Sequence, residues 1–208
     1  MKIAIIGGTG RMGTGLGAQL ARSHQVIVGS RDPAKAKATA ATISGAKGTD
    51  SATAARECDA AIVAIPFSAI DSVASLADEL SGKLVMSAIS PTKSENGMLT
   101  YGLEDGSAAE MLAARLPRSR VATAFNNVPV RFFKKQKFPR MDVAVAADSM
   151  ETFEEVARIV KGIPNIRPLY AGPLSEARVI ERMTPLVINL ARKNRTGSLA
   201  VRFVSEDD

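Results

Sequence analysis

Tryptophan is missing from this 208-residue chain, and tyrosine, cysteine and histidine are nearly so, with two, one and one copies. A single cysteine, Cys58, excludes an internal disulfide. With His24 as the only histidine, a zinc cage of Cys and His ligands is excluded too. No stretch of about 18 apolar residues occurs that could cross a membrane as a helix. The opening run KIAIIGG reaches glycine too early for a signal peptide, so a cytoplasmic protein is expected. Negative charge is the scarcer sign: 27 Lys and Arg stand against 21 Asp and Glu, a net +6. That surplus suits nucleic acid and anionic small ligands alike and does not choose between them. What is abundant is apolar residues, 46% of the chain, enough for a core in one domain or a large domain with a small appendage.

Apolar runs alternate with amphipathic stretches over the first 120 residues. KIAIIG, HQVIVGS, DAAIVAIP and KLVMSAI read as strands, and because they are continuous rather than alternating they are expected to be buried on both faces. The expected fold is therefore α/β, a doubly wound, mostly parallel Rossmann sheet. Its crossover helices are placed at Gly13 to Arg22, Ala54 to Cys58 and Ala69 to Leu80. Beyond a soft boundary near residue 120, residues 121–208 are expected to form a smaller α/β extension. RVATAF and MDVAVAA are its strands, and Asp148 with Glu151 is a candidate capping box for a helix from Met150 to Ile163. A last helix, Ser175 to Lys193, carries Val179, Met183, Leu186, Val187 and Leu190 on one stripe, a core or dimer contact. Pro185 inside it predicts a kink.

IIGGTGRMG, residues 5–13, is a phosphate-cradle candidate, parsed either as Gly8, Gly10, Gly13 or as Gly7, Gly10, Gly13. Either way bare backbone at a strand-to-helix turn lets a pyrophosphate approach the amides, and the last glycine lets the helix sit close to the sheet. The second strand then ends in Ser30 and Arg31, where NAD-binding units place an acid that accepts the ribose hydroxyls. A 2′-phosphate would be repelled by that acid and calls for cations, which Arg31 and Lys35 supply. NADP is the expected dinucleotide, with Asp32 left as the group that could still reach a ribose. A dehydrogenase of alcohols or carbonyls also moves a proton and needs an acid or base against the substrate. None is apparent: His24 lies at the wrong end of the first helix, and Tyr101 and Tyr170 lack a partner lysine. Hydride transfer between two stacked redox rings needs no such group.

MKIAIIGGTGRMGTGLG, VGSRDPAKA, AIPFSAID, AGPLSEARVIERMTPLVINL and RTGSLAVRF resemble, nearly end to end, the NADPH-dependent reductases of the deazaflavin coenzyme F420. The resemblance implies an oxidoreductase with NADP and coenzyme F420 as small-molecule substrates. It implies NADP held by Thr9, Gly10, Arg11, Met12, Ser30, Arg31 and Lys35. Phe67, Ile70, Thr92, Val130 and Leu199 then line the nicotinamide and the facing deazaflavin, Ile65 and Pro66 end the fourth strand, and the C-terminal tail folds over the redox site. Where the family has histidine, FNNVPV places Asn126, and Asn126 and Asn127 are expected to be able to hydrogen-bond a carbonyl of the second cofactor. The stretch RFFKKQKFPR, residues 131–140, is more basic than the family pattern. It fits a solvated loop, a steering patch for the phosphate and glutamate tail of coenzyme F420, or, least, nucleic acid through Phe132, Phe133 and Phe138. The rival functions are an FMN or FAD (or ferric) reductase, a non-catalytic NADP sensor and a carbonyl dehydrogenase. A homodimer is expected.

Overall fold

In the computed structural model, which describes residues 1–133 and 138–206, strands and helices alternate from the start. β1 (Lys2–Ile6), α1 (Arg11–Leu20), β2 (Gln25–Ser30), α2 (Pro33–Ala40), β3 (Lys47–Asp50), α3 (Ser51–Glu57) and β4 (Ala60–Val63) come first. A 3-10 helix, Phe67–Leu76, leads to β5 (Leu84–Ser87), then to a hairpin of β6 (Thr92–Glu95) and β7 (Met98–Tyr101). α4 (Ala108–Arg115), β8 (Arg120–Thr123), α5 (Val130–Phe133) and β9 (Met141–Ala147) follow. The chain closes with α6 (Met150–Lys161), β10 (Ile166–Gly172) and α7 (Ala177–Lys193). No helix among the described residues is long and apolar enough to cross a membrane.

The main sheet has the order β10-β9-β8-β5-β4-β1-β2-β3. Every pairing is parallel except β8 with β9. β4, β5 and β9 are buried along their whole length, and β1 and β2 beyond their first residue, as their unbroken apolar runs require, whereas the edge strands β3 and β10 are not. Ile3 and Ile5 pack with Leu16 and Leu20 on one face, and Ala4 and Ile6 with Ala55 and Val73 on the other. The boundary expected near residue 120 falls at the first residue of β8, inside this sheet, so both segments share one hydrogen-bonded layer. Because β9 and β10 run against the other strands, their starting ends lie on the same edge as the finishing ends of β1, β4, β5 and β8.

Several local expectations are corrected. The segment expected as a helix from Ala69 to Leu80 is a 3-10 helix over Phe67–Leu76. Ser72 and Ser75 donate their hydroxyls to the carbonyls of Ala69 and Ser72, at 2.7 and 2.8 Å, and this three-residue reach favours the tighter turn. α6 is capped by Ser149, whose Oγ accepts from Thr152 N at 3.1 Å. Asp148, expected in that role, instead accepts from Leu174 N at 2.8 Å. α7 starts after a 3-10 turn at Leu174–Glu176 rather than at Ser175, and it runs unbroken through Pro185.

Candidate active site

The chain leaves β1 toward β2 and β3 on one side and returns to β4 on the other, which opens a crevice between the ends of β1 and β4. Both glycine parses turn out to be needed. Gly7, at φ +83°, would place a Cβ 2.6 Å from the Ala64 carbonyl; at Gly8 it would lie 2.8 Å from the Ile5 carbonyl, and at Gly13 2.5 Å from Gly8 Cα. Gly10 is less crowded, but a Cβ there would still press against the Gly7 carbonyl at 3.3 Å at the start of α1. Gly10 is also the N-cap, with no side chain bonding the turn and no acid in it. The first-turn amides of Arg11, Met12 and Gly13 therefore lack intrahelical acceptors and favour an anion.

A cavity of about 360 Å³ opens here, with Thr9, Gly10, Ser30 and Arg31 on one side and Ile65 and Pro66 on the other. Asp32 is committed elsewhere: its Oδ1 accepts from Ala34 N and Lys35 N at 3.0 and 3.2 Å, capping α2. Lys35 stands outside the wall, its Nζ 3.9 Å from Asp32 Oδ2. β4 finishes at Val63, so Ile65 and Pro66 follow the strand rather than end it. Phe67 is half-buried outside the wall and Ile70 is buried in the core. The 3-10 helix contributes Ala69, Ser72 and Ser75 to the wall instead. Their spacing of three is the signal that would have found them, since every third residue of a 3-10 helix is eclipsed.

A second cavity, of about 300 Å³, lies on the same edge where β8 ends. Asn126, Asn127, Val128 and Pro129 form one wall, and Thr184, Val187, Ile188 and Ala191 of α7 another. Gly197, Ser198 and Leu199 of the tail cross it, with Arg131 and Arg192 also in the lining. The turn into this wall is tight: Phe125 is fully buried at φ +70°, where a bulky side chain costs about 1–2 kcal/mol. Asn126 holds it. Thr123 Oγ1 donates to its Oδ1 at 2.6 Å, its Nδ2 donates to the Ile89 carbonyl at 2.7 Å, and its carbonyl accepts from Thr184 Oγ1 at 2.8 Å. The Asn126 amide, expected to meet a ring carbonyl, is thus occupied as a brace between β5, β8 and α7. Val130 turns to α1, where a Cβ on Gly15 would lie 3.2 Å from Val130 Cγ2. Thr92 is exposed on β6 and lines neither cavity.

The tail is tied down by Asp142, which is 2% exposed. Arg167 donates to its carboxylate from Nε at 2.8 Å and Nη2 at 3.0 Å, and Phe203 N donates to Oδ2 at 2.6 Å. Asp142 N in turn donates to the Val201 carbonyl at 2.9 Å. Burial works against this charge, but the Arg167 guanidinium and the Phe203 amide outweigh it and hold the carboxyl below its usual range. The phenylalanines of the basic stretch face inward: Phe132, Phe133 and Phe138 are all buried, which removes them as stacking platforms for nucleic acid. Lys134, Lys135 and Lys137 lie outside the described residues.

Among the described residues neither cavity wall carries a histidine or a carboxylate. His24 sits at the opposite edge beside Gly162, its ring nitrogens buried and unpartnered, and burial together with the chain's N-terminal charge lowers its pKa. Such walls can bind and orient two ligands, and they offer no side-chain proton relay.

Residues 2–91 match the family described as NADP oxidoreductase, coenzyme F420-dependent. Over 221 residues the chain is 35% identical to the F420-dependent NADP reductase of Methanothermobacter marburgensis, an alignment covering 99% of each. The chain belongs to the F420-dependent NADP reductases. Another member, from Methanocaldococcus jannaschii, is 33% identical over 223 residues, again covering 99% of both. The fold of this F420-dependent NADP reductase family member is shared with the crystal structure of a putative F420-dependent NADP-reductase from Arthrobacter sp. FB24. The TM-score is 0.86 at 22% identity, covering 99% of this chain and 100% of that one.

Proposed function

We propose that the protein transfers a hydride between NADP(H) and coenzyme F420, with the dinucleotide in the crevice between β1 and β4 and the deazaflavin ring in the strapped cavity beside β8. The observation that carries this reading is the pairing of the two cavities on one sheet edge. One is lined by bare amides and an arginine suited to phosphates and the other by Val128, Val187, Ile188 and Leu199 suited to a flat ring. When bound, the cofactors supply the redox chemistry themselves, nicotinamide C4 and deazaflavin C5 being donor and acceptor in either direction. The chain's own work is positional. Gly10 and the first turn of α1 seat the pyrophosphate, Ser30 and Arg31 select the 2′-phosphate, and the strap from Gly197 to Phe203 closes the apolar cavity and excludes water. Residues 121–208 complete that second cavity, and the outward stripe of α7 joins two copies into a homodimer.

Anaerobic mixing of the purified protein with NADPH and oxidised coenzyme F420 tests the reading, with NADH and FMN as parallel substitutions. The expected result is rapid loss of the deazaflavin's visible absorbance with NADPH and little with NADH. Reduction of FMN without reduction of the deazaflavin would reassign the acceptor. Binding of NADPH with no acceptor reduced would leave only a sensor.

A further inference from the structure

Two cations stand at the strapped cavity without a partner. Arg131 comes from α5, directly after the wall of Asn126 to Pro129, and Arg192 comes from the last turn of α7. Both residues are exposed, and neither guanidinium makes a hydrogen bond or ion pair with any described residue. No carboxylate lines the cavity among the described residues. The four positions after α5, 134–137, hold three lysines and a glutamine, so the sequence that follows Arg131 brings no counter-charge.

The backbones that carry these cations are fixed. α5 is anchored by the burial of Phe132 and Phe133 and by Gln19, whose Nε2 donates to the Phe133 carbonyl at 2.9 Å. The end of α7 is closed by Asn194 N and Thr196 N, which donate to the carbonyls of Leu190 and Ala191 at 3.1 and 3.0 Å. A cation in that last turn suits the helix dipole, and Lys193 serves that end as well, yet of the two only Arg192 lines the cavity. Two like charges on separate elements, with no acid between them, raise a positive potential that an anion relieves. Guanidinium forks match phosphate oxygens two at a time.

We propose that Arg131 and Arg192 clamp the phosphate on the side chain of the acceptor ring, so that the protein selects a ring carrying a phosphate ester over the same ring without one. The proposal rests on the reading that the strapped cavity takes the ring. The ring then lies against Val128, Val187 and Leu199, and its side chain leaves past the two exposed arginines. The clamp touches no reacting atom and acts on binding alone.

The test is equilibrium binding in the absence of nicotinamide cofactor, followed by the fluorescence of the ring. Three ligands are compared: coenzyme F420, the deazaflavin carrying a ribityl phosphate, and the deazaflavin carrying ribityl alone. Each is titrated into the wild type, an Arg131→Ala/Arg192→Ala double variant, and Arg195→Ala, which removes a nearby cation outside the lining. The wild type should bind both phosphate-bearing ligands at least about 10-fold more tightly than the ribityl form. The double variant should lose about that factor for those two and nothing for the third, and Arg195→Ala should change none of them. Raising the salt should erode the same difference, as both arginines are exposed. Equal wild-type affinity for all three ligands, or an equal loss from Arg195→Ala, would overturn the clamp and leave the ring assignment standing. A loss confined to coenzyme F420 would overturn it too, since the group read would then be the glutamate carboxylates. Displacement of the ribityl phosphate form by an equal concentration of inorganic phosphate would assign the arginines to a free anion instead. Failure of the wild type to bind any of the three would remove the ring assignment, and the clamp with it.

Discussion

Ser30 and Arg31 stand where NAD-binding units present a carboxylate, and the acid one position further on does not replace it, because the Asp32 carboxylate is spent on two amides of α2. With the dinucleotide in this crevice as proposed, cofactor choice would fall on one guanidinium in its wall. Arg31→Ala should weaken NADPH binding roughly 10- to 100-fold, the ~1.5–3 kcal/mol of a charge-assisted bond, and leave NADH binding unchanged. Parallel binding titrations decide it, and equal losses for the two cofactors would defeat the specificity argument. Asn126 gives the opposite lesson. Its place in the family resemblance suggested a ligand contact, and only the positions of Thr123, Ile89 and Thr184 show that its polar groups are already paired within the protein. The unpartnered, buried Oδ1 of its neighbour Asn127 was equally invisible in the chain.

Elements followed their signals where the signals were local. Asn96-Gly97, at φ +48° and +77°, forms the two-residue turn of the β6–β7 hairpin, and Ser107 caps α4, its Oγ accepting from Glu110 N at 3.1 Å. Both signatures stand in the sequence. β3, by contrast, has only KGTD to announce it. It exists because β2 offers an edge and because Gly48 lets the Ala36 carbonyl of α2 come within 2.3 Å of where a Cβ would be. α7 carried the clearest stripe in the chain, yet Val179, Leu186 and Leu190 are 61%, 57% and 45% exposed while Ala177, Ile180 and Glu181 are buried. An apolar face left outward on a 17-residue helix is suited to a second copy. Replacing Leu186 and Leu190 with glutamate should halve the mass seen by light scattering and leave the circular dichroism of the monomer intact. A wild type that is already monomeric, or a variant that stays dimeric, would remove α7 from the contact.

At the scale of the molecule, one buried acid ties three elements together. Glu181 on α7 is fully buried and accepts from Tyr101 Oη of β7 at 2.8 Å and from Ala108 N and Ala109 N at the start of α4, at 2.9 and 3.0 Å. Burial pushes its carboxyl up to about 7, against the pull of those donors. Its proton is therefore held in the folded state above pH 4.5, where the unfolded chain has released it. The contribution to stability is complete below pH 4.5 and is lost as the pH rises through 7, by at most about 3 kcal/mol. Thermal melts from pH 5 to 8 should show the wild type losing stability relative to Glu181→Gln as the pH rises. A difference between the two that stays constant with pH would disprove the assignment.

The sequence by itself determined the doubly wound half of the fold and the glycine-lined crevice between β1 and β4. Unbroken apolar runs, three glycines at a strand-to-helix turn and a cation after the second strand act through neighbours close in the chain, so their physics is written locally. Tertiary structure alone decided the rest. The reversal of β9 carries Arg140, Asp142 and Arg167 to the edge where β1, β4 and β8 finish, Asp142 fastens a tail more than 50 residues away, and α7 meets β8's loop through Thr184. Those contacts join segments with no shared pattern, and their energy depends on burial and geometry that exist only once the sheet has formed.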